Sequence, residues 1–291
     1  MGNNKIPCMS PTIKRLPNGF GAEVHNFDGG RINIKTSEFI KQMLYKNRVL
    51  ILKNQFMTQY EYVVFAKQIG KPVLFIDPEY QHPDYPEIFV ISNAKAKGKK
   101  IGKDRVGYYW HSDSSFLTMP LPITMVYAQC VPKQGGETAF INMHEVYSTL
   151  PESTKEKLYG KYARHEGKWR YILTQKDVGL SILEVLERDE QLVPSSAHPI
   201  IIKHPFTGET ILYINEGFTK RIFDISYEES EGILQKLFKI INENRNIYMH
   251  SWKLGDLVIW DNRSVIHRAF PAASGQDRIM FRIGVNDGKF Y

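Results

Sequence analysis

The sequence predicts a mainly β chain with helices packed on its flanks, and three observations carry that prediction. Short apolar runs rich in Val, Ile and aromatic residues recur from residue 88 onward. Gly, Pro and Asn punctuate them, as turn residues do. Helical patterns interrupt the runs at a few places without a repeating strand–helix alternation, which favours a sandwich or jelly roll. All-β folds of this length often form one unit, so residues 1–291 are read as a single domain.

Each element follows from local pattern. Residues 12–24 alternate loosely around Pro17-Asn18-Gly19 and read as a short strand pair. A helix is expected over 37–45, where Phe39, Met43 and Leu44 share a face, with Thr36 or Ser37 as its cap. Val49-Leu50-Ile51-Leu52 is a buried strand. A second helix runs over 60–69, capped by Thr58 and ended by Gly70-Lys71-Pro72. Strands are expected at 88–91, 123–129, 137–141, 200–203, 211–214, 257–260 and 278–285. Helices interrupt them at 143–150, 178–188 and 227–243; in the last, Ile233, Leu237, Ile240 and Ile241 form an apolar stripe. There is no internal repeat and no low-complexity segment.

Composition narrows the partners. The formal charge is +7 and 42% of residues are hydrophobic, ordinary for a soluble globular protein. Lys and Arg are dispersed except for Lys95, Lys97, Lys99, Lys100 and Lys103, which read as a solvated loop. No nucleic-acid motif accompanies them, so the surplus points to small anionic or zwitterionic substrates. Two cysteines, Cys8 and Cys130, fit a reducing compartment. Ile6 stands where a myristoylation signal carries Ser or Thr, and no run approaches a membrane span. The expectation is a cytoplasmic protein that binds neither nucleic acid nor membrane; a homo-oligomer stays open.

One residue pattern carries chemistry. Residues two apart on a strand share a side, so His111 and Asp113 in Trp110-His111-Ser112-Asp113 can present an imidazole and a carboxylate to one ion. His267 arrives after the apolar strand 257–260 and the turn Asp261-Asn262-Arg263-Ser264. Two histidines and one carboxylate on one face of an octahedron leave three open positions, the arrangement of non-haem iron(II) oxygenases. Zinc accepts the same ligands, so a zinc hydrolase is an alternative, as is a metal-binding jelly-roll protein without catalysis.

The flanking segments decide between these. Trp110–Asp113, Gly135-Gly136-Glu137-Thr138, 215–222, Ile259-Trp260-Asp261-Asn262-Arg263 with His267, and Arg278-Ile279-Met280-Phe281-Arg282 resemble the TauD/TfdA family of Fe(II)/2-oxoglutarate-dependent dioxygenases, in the same order and at similar separations. The resemblance implies a double-stranded β-helix, a clavaminate synthase-like jelly roll, with Fe(2+) at one mouth. It implies His111, Asp113 and His267 as metal ligands, and 2-oxoglutarate and O2 as co-substrates. The far carboxylate of 2-oxoglutarate would pair with Arg278, eleven residues after His267, and with the Thr138 hydroxyl. A guanidinium suits that task because its fork binds a carboxylate through two parallel hydrogen bonds.

By the same resemblance Arg282 binds the anionic group of the primary substrate, while Phe218 and Tyr80 line its pocket. Asp77 stands where family members acting on taurine carry a sulfonate-binding histidine, which argues against taurine itself; the alternative is a turn-forming Asp before Pro78. Residues 80–90 also resemble isonitrile-forming members, yet Phe75, Ile76 and Ile172 depart from that subgroup, where tyrosines and a lysine are usual. Asp113 argues against a halogenase, whose members replace the carboxylate with a small residue. The expected reaction is oxidation, most simply hydroxylation, of a C–H bond in a small carboxylate-bearing substrate, with release of succinate and CO2. Desaturation and isonitrile formation are alternatives.

Overall fold

The computed structural model describes residues 11–168 and 177–291. The departure noted at Ile172, like Ile6 and Cys8, lies outside the described residues.

The main sheet explains why several strands are apolar at every position rather than at alternate ones. Val49–Leu52 lies between Ala22–His25 on one side and Leu257–Asp261 on the other. The order continues through Ile123–Cys130 to Ile279–Asn286, whose other edge pairs with Phe89–Ser92 and with Lys71–Val73. Successive side chains of a strand point to opposite faces. Leu50, Leu52, Leu257, Ile259, Met125 and Ile283 thus meet the helices Ile34–Asn47 and Gln59–Ile69 on the outer face. Val49, Ile51, Val258, Trp260, Val126 and Met280 face inward. Both faces are buried, so no polar alternation survives.

A smaller sheet packs across that inner face. Thr138–Asn142 is its centre, flanked by Ile247–His250 and Val265–Ala269. Phe140 and Val265 fill the gap toward Trp260 and Val126. Two sheets facing one another, with helices covering the larger, make the expected jelly roll. The charged pair Arg278 and Arg282 shares parity with Met280, so the sheet aims both guanidinium groups inward.

Caps show where local chemistry wins. Thr58 caps the second helix in a reciprocal box with Glu61, as expected. The first helix starts earlier than its apolar stripe indicated. Asn33 is the cap and Thr36 reaches back to it, so Thr36 belongs to the capping box and Ser37 lies within the helix. The helix expected at 178–188 runs over Ile182–Leu192. Several strands with polar sequences went unforeseen, among them Tyr162–His165, Ser196–Pro199 and Thr219–Ile222.

The strand Tyr162–His165 holds a buried histidine with a stability consequence. His165 is 0% exposed, hydrogen-bonds Ser115 Oγ at 3.1 Å and leaves Nε2 without a partner. Burial, with His198 and Lys220 assisting, pushes its pKa down to about 3. An unfolded chain takes up a proton near pH 6.5 that the native chain refuses, so the native state is favoured less as pH falls from there toward 3. Urea titrations across this window are expected to show that decline, with a shallower slope in His165→Leu.

Candidate active site

The two sheets deliver their inward residues to one mouth of the barrel. Backbone pairing brings the distant parts of the triad together. His111 N–H donates to His267 O at 3.0 Å, and His267 N–H returns the bond to His111 O at 2.8 Å. The segment carrying the H-x-D pair thus extends the smaller sheet beyond Val265–Ala269. The donor atoms of His111, Asp113 and His267 lie within 4.8 Å of one another, and all three residues are buried. His111 Nε2 is 3.6 Å from Asp113 Oδ1, and His267 Nε2 is 3.7 Å from Asp113 Oδ2.

The surroundings prepare these groups for a cation. His111 Nδ1 sits 2.8 Å from Tyr109 O, which fixes the tautomer with Nε2 as the free lone pair. Burial, reinforced by His111, holds the His267 pKa well below its ordinary value, so that ring is neutral. For Asp113, burial alone would raise the carboxyl pKa. The Arg282 guanidinium foremost reverses that and keeps it well below the usual carboxylate range. Two imidazoles and an ionised carboxylate are a donor set that fits a divalent transition metal.

Residues not singled out in the sequence brace the carboxylate. Thr124 Oγ1 donates to Asp113 Oδ2 at 2.6 Å, and Asn262 Nδ2 donates to Thr124 Oγ1 at 2.8 Å. Asn262 Oδ1 accepts from Asp113 N–H and from Trp260 Nε1. Trp260 packs on His267 with ring centroids 4.6 Å apart, whereas Trp110 belongs to the core beyond the smaller sheet. Gly107 has φ +71°, and a Cβ there would sit 2.6 Å from His111 Cε1, so glycine is needed for the chain to pass the ring. The signal for Asn262 was the turn Asp261–Ser264, legible as a turn but silent about which side chain reaches back.

A narrow cleft of about 40 Å³ joins the triad to Thr138, Trp252, Arg278 and Arg282. Arg278 Nε is enclosed without a hydrogen-bond partner, and burial pushes the guanidinium pKa down to about 10, which leaves it cationic at neutral pH. Trp252 Nε1 donates to Thr138 Oγ1 at 3.1 Å, so the threonine must spend its own proton elsewhere. A buried cation and a spare hydroxyl proton at the end of a cleft fit an incoming carboxylate.

The cleft opens into a cavity of about 510 Å³ walled by Phe75, Phe89, Phe116, Tyr109 and Phe218. Phe218 lines this cavity with its ring edge-on to His111 at 6.0 Å. Arg282 lines both spaces and reaches Asp113 Oδ1 at 3.1 Å through Nη2. Tyr80 lies one layer out, its ring 5.2 Å from Lys103 Nζ. Asp77 is a correction. It caps the single turn Pro78–Tyr80, its carboxylate accepting from Glu79 N–H, and it does not line this cavity. An Asp before Pro favours that turn, and there the turn takes the side chain.

Comparison with known proteins agrees with this geometry. A family model described as "Taurine catabolism dioxygenase TauD, TfdA family" matches residues 12–283. An alpha-ketoglutarate-dependent 2,4-dichlorophenoxyacetate dioxygenase from Burkholderia sp. (strain RASC) is 33% identical over 230 residues, covering 76% of this chain and 75% of that protein. Pentalenolactone F synthase from Streptomyces avermitilis is 30% identical and covers 89% of each chain. Among solved structures, AAD-2 in complex with Mn(II) and N-oxalylglycine superposes with TM-score 0.80 at 25% identity, covering 97% of this chain and 98% of that one. A taurine dioxygenase from Burkholderia xenovorans gives 0.77 at 25% identity, with 95% and 89% covered. The chain belongs to the TauD/TfdA family of dioxygenases.

Proposed function

We propose that this chain is an iron(II)- and 2-oxoglutarate-dependent dioxygenase that oxidises, most simply hydroxylates, a C–H bond of a small carboxylate-bearing substrate. One observation carries the reading: the triad shares a cleft with a buried guanidinium that has an unpartnered nitrogen. A hydrolase built on the same triad would leave that arginine without a task. When bound, iron(II) with 2-oxoglutarate and dioxygen supplies the oxidising chemistry, releasing succinate and CO2.

The chain's own residues bind, orient and exclude water. His111, Asp113 and His267 would hold the metal, and the cleft adjoins all three. Arg278 and the Thr138 hydroxyl hold the far carboxylate of 2-oxoglutarate, which fixes the length of co-substrate that fits. Arg282 holds the acidic group of the primary substrate, while the aromatic walls keep its body dry and against the metal. Among the described residues no helix is long and apolar enough to cross a membrane.

Arg278→Ala removes a charge-assisted pair of hydrogen bonds, each worth about 1.5–3 kcal/mol. The 2-oxoglutarate KM is expected to rise about 100-fold or more. In Arg282→Ala that KM stays within a few fold, and the deficit appears in the KM for the acid substrate. Succinate release across both concentration series checks this, and identical behaviour of the two variants would refute the division. Oxygen consumption tied to 2-oxoglutarate separates this reading from a zinc hydrolase, which consumes none.

A further inference from the structure

We infer that Trp252 is a positioning residue for the co-substrate: its indole N–H turns the Thr138 hydroxyl proton into the cleft. Hydroxyl and Arg278 then present donors alone to the incoming group. The inference rests on the dioxygenase reading and adds to it the residue that sets how tightly the far carboxylate of 2-oxoglutarate is held.

A hydroxyl carries one proton and two lone pairs, and it rotates to suit its neighbours. Left to itself, a threonine on a strand can spend that proton on nearby backbone. Thr138 is buried at the start of the strand Thr138–Asn142, with His250 across one edge and Ala269 across the other. Trp252 Nε1 lies 3.1 Å from Thr138 Oγ1. An indole nitrogen only donates, so the threonine oxygen accepts there and its proton is turned away from that side. Trp252, Thr138 and Arg278 line one cleft of about 40 Å³. Two donors converging in so small a space are satisfied by a group that only accepts, which an ionised carboxylate is and a carboxamide is not.

The indole is held from behind. The His250 ring meets it edge to face, with centroids 4.8 Å and planes 83° apart. His250 is fixed at both nitrogens, Nδ1 lying 3.0 Å from the Tyr248 hydroxyl and Nε2 3.2 Å from Asp256 Oδ2. Asp256 is 1% exposed and closes the segment that carries Trp252. Its Oδ2 accepts from Lys253 N–H at 3.0 Å, its own N–H donates to Lys253 O at 3.0 Å, and Lys53 Nζ holds Oδ1 at 2.6 Å. Tyr248, His250, Asp256 and Lys53 do not line the cleft, so they bear on the ligand only through Trp252.

A double-mutant cycle tests this on full-length protein loaded with iron(II) under anaerobic conditions, with calorimetry giving the dissociation constant of 2-oxoglutarate. Trp252→Phe is expected to raise that constant about three- to tenfold, the worth of one neutral hydrogen bond. A second variant keeps the packing: 3-benzothienylalanine at position 252 preserves the bicyclic shape and puts sulfur in place of the N–H, and it should show the same loss. Thr138→Val alone should raise the constant about tenfold or more, and adding Trp252→Phe to it should change the constant by less than about twofold. In Thr138→Ser, which keeps the hydroxyl, the effect of Trp252→Phe should return. A structural role for Trp252 predicts instead the same loss in every background. That outcome, or an unchanged constant in both position-252 variants, overturns the inference and leaves the dioxygenase reading intact. Failure of 2-oxoglutarate to bind the iron-loaded parent protein would overturn both.

Discussion

Replacing Asp113 with alanine is expected to silence 2-oxoglutarate-dependent succinate release and to strip iron(II) from the protein while the chain stays folded. The carboxylate is the one anionic donor of the proposed centre, and it faces the two imidazoles and the Arg282 guanidinium. Without it a divalent ion would meet two neutral ligands beside a positive charge, an arrangement no better than water. The fold should survive because His111 and His267 are joined through their backbones, which the substitution does not touch. Iron content after desalting, circular dichroism and succinate release measure the three parts separately. Full turnover by the variant would end the assignment.

A graded companion comes from the brace. Thr124→Val keeps the side-chain shape and removes the donor to Asp113 Oδ2, leaving Asn262 Nδ2 without its acceptor. Loss of such a supporting contact typically costs 10–100-fold in metal affinity or activity. Iron(II) titration is therefore expected to show weaker binding in Thr124→Val and near-normal binding in Thr124→Ser, which restores the hydroxyl. Equal, unweakened binding in both would show that the hydroxyl plays no part in orienting the ligand.

The contrast between Asp113 and Thr124 marks how far the sequence could be read. His111, Asp113 and His267 were legible because metal chemistry restricts residue type, and an H-x-D pair on a strand exit shares a side by geometry alone. Arg278 and Arg282 were singled out by family resemblance, to which strand parity adds only that the two side chains face the same way. Thr124 was not, because it lies inside an apolar run whose pattern announces only a buried strand; its role exists only where Ile123–Cys130 passes Asp113. The same holds for the strand Val265–Ala269, which is short and interrupted by His267 and Arg268, and whose pairing to Thr138–Asn142 is set by residues far along the chain. Asp77 shows the opposite error. A loop position suggested by family resemblance was spent on a local turn, and local hydrogen bonds of that kind compete with any distant ligand.

Arg263→Ala is expected to cost about 3–5 kcal/mol of stability, the usual penalty for removing one partner from a buried ionic group. The guanidinium is 1% exposed and grips Asp261 through Nε and Nη2 at 2.8 and 2.9 Å. It also binds Asp287 and the Lys289 carbonyl, which pins the C-terminal segment to the turn. The variant would leave Asp261 and Asp287 as buried anions without their guanidinium, with His204 and Tyr45 as side-chain partners beside the backbone N–H groups of residues 263 and 289. Burial raises the Asp261 pKa, and the Arg263 guanidinium first, then the hydrogen bond from His204, bring it far below the ordinary range; removing the larger of those two supports lets it rise again. A drop in Tm on the order of 10 °C follows at this chain length. The turn held by Arg263 also carries Asn262, whose amide braces Asp113 and Thr124. Iron(II) affinity should therefore fall with stability, even though Arg263 touches none of the metal-binding side chains. Arg263→Lys separates the two roles: it restores a charge but not the fork that spans Asp261 and Asp287, so it should recover part of the stability and less of the affinity. A variant that unfolds within a degree or two of the parent would show that this network is dispensable.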